Sequence, residues 1–110
     1  MGALREEDMR REAERVASAL RNKGYETSVK KSVVRNLLGK EIVGYSVVAS
    51  KGEHVVRWKV MEGRYEVSIR VHGSVDEDLE SEGYHVEKDG EYTRLFKKSK
   101  RMFHFMDKVP

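Results

Sequence analysis

Between Arg94 and Phe105 the chain reads R-L-F-K-K-S-K-R-M-F-H-F. Lys97, Lys98, Lys100 and Arg101 place four positive charges within five residues, and Phe96, Phe103 and Phe105 flank them. Positive charge engages phosphates and flat rings stack on bases, so this combination is the chemistry of nucleic-acid binding. Arg57, Lys59, Arg64 and Arg70 fall on the polar face of the strands upstream and extend the same chemistry. The expected mode is weak, sequence-tolerant binding through Lys97, Lys98, Lys100 and Arg101, supported by Arg57, Lys59 and Arg70. The competing reading turns the rings inward and leaves the lysines as a solvated face.

A second class of function is contact with protein. Met102, Phe103, Phe105 and Met106 form an apolar chain end, and Met with Phe suits adaptable binding surfaces. A tail that finds no place in its own core docks on a homodimer mate or another protein.

Other chemistries have no residues to carry them. Cysteine is absent, which excludes disulfides, thiolate catalysis and cysteine-based zinc sites. No G-x-S-x-G, Walker loop or G-x-G-x-x-G occurs, so neither an enzyme nor a cofactor is expected. His54, His72, His85 and His104 are scattered without metal-ligand spacing, and no metal is expected. Asp76, Glu77, Asp78, Glu80 and Glu82 crowd one short segment. They lack the glycine and ligand positions of a calcium loop and suit the start of a helix instead.

The chain of 110 residues is sized for a single α+β domain over 1–110. Hydrophobic residues make up 38% and charged residues 37%, which indicates a globular, soluble class. No run of about 18 apolar residues occurs, so no membrane span is expected. The chain opens directly into a charged helix, so no secretory leader is read and a cytoplasmic location is expected. Gln is absent and Asn occurs only at positions 22 and 36. With abundant Glu, Lys and Arg, this is a thermophile-like composition. The irregular stretch 35–40 argues against an idealised design. The net charge of +3 is unevenly spread, because residues 73–92 hold one basic and eight acidic side chains and residues 93–110 hold six and one.

The elements that position these residues follow from periodicity. Met9, Ala13, Val16, Ala17 and Leu20 form one helical stripe within Leu4–Lys23, ended by Gly24. Tyr25–Val34 is a strand in which Lys31 breaks the alternation, at a bulge or a sheet edge. Ile42–His72 is an antiparallel meander with hairpin turns at Lys51-Gly52 and Glu62-Gly63. The expected rows are Val47–Val56–Ile69, Tyr45–Trp58–Val67 and Val43–Val60–Tyr65, all on one face. Ile42, Val48, Val55 and Met61 fall on the other face and suggest a second layer there, from the C-terminal elements or a dimer mate. Ser74 with Glu77 matches a capping box for a short helix ending at Gly83. Tyr84–Lys97 is a second hairpin about Asp89-Gly90, with Tyr84 opposite Leu95 and Val86 opposite Thr93. Lys97–Val109 is read as a C-terminal helix or tail. The fold class expected is a two-layer α+β sandwich, its N-terminal helix packed on an antiparallel meander.

Overall fold

The computed structural model describes residues 5–75 and 78–110. One helix, α1 (Glu6–Asn22), precedes six strands: β1 (Glu26–Arg35), β2 (Glu41–Lys51), β3 (His54–Met61), β4 (Arg64–His72), β5 (His85–Asp89) and β6 (Tyr92–Ser99). They form one antiparallel sheet in the order β1-β2-β3-β4-β6-β5. Among the described residues no helix is long and apolar enough to cross a membrane.

The helix buries the expected stripe of Met9, Ala13, Val16, Ala17 and Leu20 against β1, β2 and β3. The alanines keep the stripe flat enough for the helix to lie close to the strands. The remainder of that sheet face is closed by irregular chain, with Leu79, Tyr84, Phe105 and Val109 joining the same buried cluster.

The β3–β4 register matches the expectation, with Val56 opposite Ile69, Trp58 opposite Val67 and Val60 opposite Tyr65. The β2–β3 register is displaced by two residues. Val47 faces Trp58, Tyr45 faces Val60 and Ala49 faces Val56. The second hairpin is displaced the same way, with Val86 opposite Leu95. Both displacements have one cause. Gly52 and Gly90 each take the first loop position, with φ of 57° and 63°, so the loops are Gly52-Glu53 and Gly90-Glu91. Glycine first and a non-glycine second is the type II′ arrangement, which matches strand twist. A shift of two residues returns every side chain to its original face, so the expected core survives the changed rows.

Lys31 lies on edge strand β1 with the register unbroken around it. Its amine and the Tyr45 hydroxyl both reach Glu6 Oε1 at the start of α1. Nearby, the Tyr65 hydroxyl donates to Glu12 at 2.8 Å, and burial followed by that carboxylate pushes the phenol well above its ordinary value. These contacts fix the helix across the sheet at positions where apolar packing alone permits sliding.

The C-terminal elements differ from the expected helices. Lys97–Ser99 complete β6, and the chain beyond it bends at Lys100 and Arg101 and takes no regular structure until a single 3-10 turn at Met106–Lys108. Phe103 and Phe105 stand two residues apart with rings 6.4 Å from centre to centre, a spacing that suits extended chain rather than one helical face. The capping-box reading rested partly on Asp76 and Glu77, which lie outside the described residues; Glu80–Glu82 form one 3-10 turn ended by Gly83. The β5–β6 hairpin joins the sheet in plane instead of layering over it. The face bearing Val48, Val55 and Met61 is therefore left uncovered among the described residues.

One part of the sheet stands apart. β2 pairs with β3 only from Gly44 onward, so residues 33–43 form a two-stranded arm. Its tip is organised by Asn36, whose Oδ1 accepts from the Leu38 and Lys40 amides at 2.9 Å each. Leu37 and Leu38 are 106% and 92% exposed there.

Two predictions follow from this packing. Trp58 is 3% exposed at mid-strand and sits 6.2 Å from the Tyr65 ring. Trp58→Ala is expected to cost about 3–5 kcal/mol in urea denaturation; a loss under about 1 kcal/mol is incompatible with this core. The second concerns Glu6, whose carboxyl is held below its ordinary range chiefly by the Lys31 hydrogen bond. Its contribution to stability is full above the ordinary carboxylate range and is lost as pH falls through the lowered folded value. Lys31→Met is expected to return Glu6 toward ordinary titration, read by carboxyl-carbon NMR, and an unaltered titration contradicts the pairing.

Candidate anion-binding face of the sheet

The open face is made by the outward positions of each strand. Arg57 and Lys59 on β3, Arg70 on β4 and Lys98 on β6 all project there, so four of the seven residues expected to bind nucleic acid share one surface. Register arranges them in rows. Lys59 and Lys98 stand on either side of Glu66 in one row. In the next row Arg57 faces Ser68, and Ser68 faces Phe96. In the third, Val55 faces Arg70 and Arg70 faces Arg94.

Arg94 was not among the expected residues, yet it joins Arg57 and Arg70 around one hollow. Val55, Arg57, Ser68, Arg70 and Arg94 line a hollow of about 200 Å³. Two arginines directly opposite in a ladder repel each other, and such pairs are destabilising on their own. Arg70 is held in place by its guanidinium lying 4.5 Å above the Tyr92 ring, a cation–π arrangement. Its Nε is buried and has no hydrogen-bond partner among the described residues. A buried donor left this way is costly, and the stacking of the guanidinium on Tyr92 is what holds it there. Arg94 pairs with Asp89 at 3.6 Å, whereas no carboxylate pairs with Arg57 or Arg70 among the described residues. Phe96, beside the hollow, is 37% exposed.

The other expected residues lie elsewhere. Lys97 has the opposite parity to Lys98 and turns to the helix side. Its amine donates to the Glu82 carbonyl at 2.8 Å and sits over the Tyr84 and Phe103 rings. Lys100 and Arg101 are exposed beyond the end of β6, where Lys98, Ser99 and Lys100 meet Gly63 and Arg64 around a second shallow hollow. The acidic and basic segments partly offset each other, through Lys108 with Glu82 at 3.1 Å and Arg94 with Asp89.

The apolar tail largely finds a place in its own fold. Phe105 is buried, Phe103 and Met106 are half-buried, and Met102 is exposed. Lys23 donates to the Met106 and Val109 carbonyls at 3.0 and 2.7 Å, and the Tyr25 hydroxyl donates to the Pro110 carbonyl at 3.0 Å. A groove of about 380 Å³ remains between this tail and α1, with Trp58 and Val16 in its lining. Among the described residues no His, Asp and Glu side chains gather as a metal site.

No protein-family model matches the chain, and neither curated proteins nor solved structures give a match.

Proposed function

We propose that this protein binds single-stranded nucleic acid on the uncovered face of its sheet. The observation that carries the reading is the hollow in which Arg57, Arg70 and Arg94 converge beside an exposed aromatic ring, on a face that no other element covers among the described residues. Guanidinium forks match phosphate oxygens in number and geometry. Phe96 supplies a ring on which an unstacked base can lie, and Lys59 and Lys98 continue the positive charge along the same surface. An open sheet face that carries an exposed ring suits splayed bases better than the closed edges of a duplex. The basic C-terminal segment contributes through Lys98, Lys100 and Arg101, while Lys97 serves the fold.

Polarisation titrations with a labelled single strand and the matching duplex test this reading. Single strands release about 0.7 counterion per phosphate contact, so three to four contacts imply a log–log salt slope of about −2 to −3. Arg57→Gln and Lys98→Gln are each expected to flatten that slope by about 0.7 while leaving the circular dichroism spectrum unchanged. Binding that ignores salt, or that favours duplex, overturns the proposal.

A second reading, self-association, is supported by the arm rather than the tail. Leu37 and Leu38 are almost fully exposed at its tip, with Val33 and Val34 on its two faces also exposed. Apolar patches of this kind mark contact surfaces, and a C2 dimer is the commonest closure for a single chain type. Light scattering at micromolar concentration is expected to show a dimer that Leu37→Ser with Leu38→Ser converts to monomer. A monomeric wild-type chain rules this reading out.

A further inference from the structure

Charge on the open face is graded, and the gradient has a direction. On one side of the arginine hollow the face continues into Lys59 and Lys98, with Glu66 between them, and then Arg64, a net positive charge. On the other side it runs into the hairpin turns, where carboxylates collect. Glu53 and Glu91 flank His72 at 3.8 and 3.4 Å, Tyr92 donates to Glu53 at 3.4 Å, and Asp89 lies against Arg94. A polyanionic strand that entered the hollow from the lysine side would be repelled from passing beyond it.

The charge inside the hollow points the same way. Asp89 pairs with Arg94, and Glu87 stands opposite Arg94 in the ladder without reaching ion-pair distance. Arg57 and Arg70 remain as two positive charges that no carboxylate pairs among the described residues. An internal phosphodiester carries one negative charge. A terminal phosphomonoester carries about −1.5 to −2 at neutral pH and offers three strong acceptor oxygens. Two guanidiniums with no carboxylate partner among the described residues, together with the Ser68 hydroxyl, fit the second group better than the first.

We infer that the hollow of Arg57, Ser68, Arg70 and Arg94 receives the terminal phosphate of a nucleic-acid strand, so that the protein binds phosphorylated ends. This rests on the sheet-face reading given above and adds the place where the strand stops. The terminal phosphate sits against Arg57 and Arg70, the first base lies on Phe96, and the next phosphates pass to Lys59 and Lys98. A phosphate at either the 5′ or the 3′ end has this chemistry, and the two ends are distinguished experimentally.

The test uses the full chain and three unlabelled ten-nucleotide strands of one sequence as competitors in a polarisation assay. One carries a 5′ phosphate, one a 3′ phosphate, and one has hydroxyls at both ends. One phosphorylated form is expected to compete about tenfold better than the hydroxyl form, the gain expected of added charge-assisted hydrogen bonds. Arg57→Gln and, separately, Arg70→Gln are expected to abolish that advantage. Lys98→Gln is expected to weaken all three strands alike. Arg57 is exposed, so its variant keeps the test decisive if the Arg70 variant fails to fold. Equal competition by all three strands overturns the inference and leaves the sheet-face reading standing. An advantage that persists in Arg57→Gln also overturns it. No binding by any strand removes the sheet-face reading and this inference together.

Discussion

One face of a six-stranded sheet is covered by a single helix over β1, β2 and β3 and by irregular chain over the rest, and most of the structure depends on that constraint. Period-two alternation sends Val47, Val56, Trp58, Val60, Val67 and Ile69 to a single side. Burial of side chains of this size stabilises by roughly 1.5–3 kcal/mol each, so this side has to be covered. The helix and the C-terminal tail do so, and Lys23 and Tyr25 fix the tail at its end by hydrogen bonds to Met106, Val109 and Pro110. Nothing of the kind is required on the other side. Its outward residues are arginines, lysines, serines, Glu66 and a few apolar groups, and among the described residues no layer covers them.

The same alternation sorts the basic segment into two roles. Lys97 and Lys98 are neighbours in sequence and lie on opposite faces. Lys97 spans Tyr84 and Phe103 to reach the Glu82 carbonyl, so it serves packing. Lys98 stands in the row of Lys59 and Glu66, so it serves the open surface. A charge run that reads as one patch along the chain is divided by the pleat.

Much of the fold was legible because the signals were local. The stripe of α1, the Glu62-Gly63 turn and the face assignment of the meander needed only neighbours in sequence. The rows of β2 against β3 were not, since Lys51-Gly52 and Gly52-Glu53 are both acceptable loops and both preserve the faces. The C-terminal helix failed on a similar ambiguity, because a mixed run of Lys, Phe and Met has no single period. The candidate site was legible only in part. Arg57, Lys59 and Arg70 could be placed on one face from the meander alone. Arg94 could not, because its position opposite Arg70 depends on β6 pairing with β4, a contact between strands joined by the long segment that runs from His72 to β5 and not by a tight turn.

The central claim is that the ligand lies on the open face of the sheet and that the arginine hollow anchors it. Amide chemical-shift mapping of the labelled protein with a short single strand reads this position by position. The account predicts the largest shifts at Arg57, Ser68, Arg70, Arg94 and Phe96, with α1 and the buried tail residues Phe105 and Val109 unaffected. Shifts centred on the groove between α1 and Met102–Met106, or on the arm at Leu37 and Leu38, would contradict it.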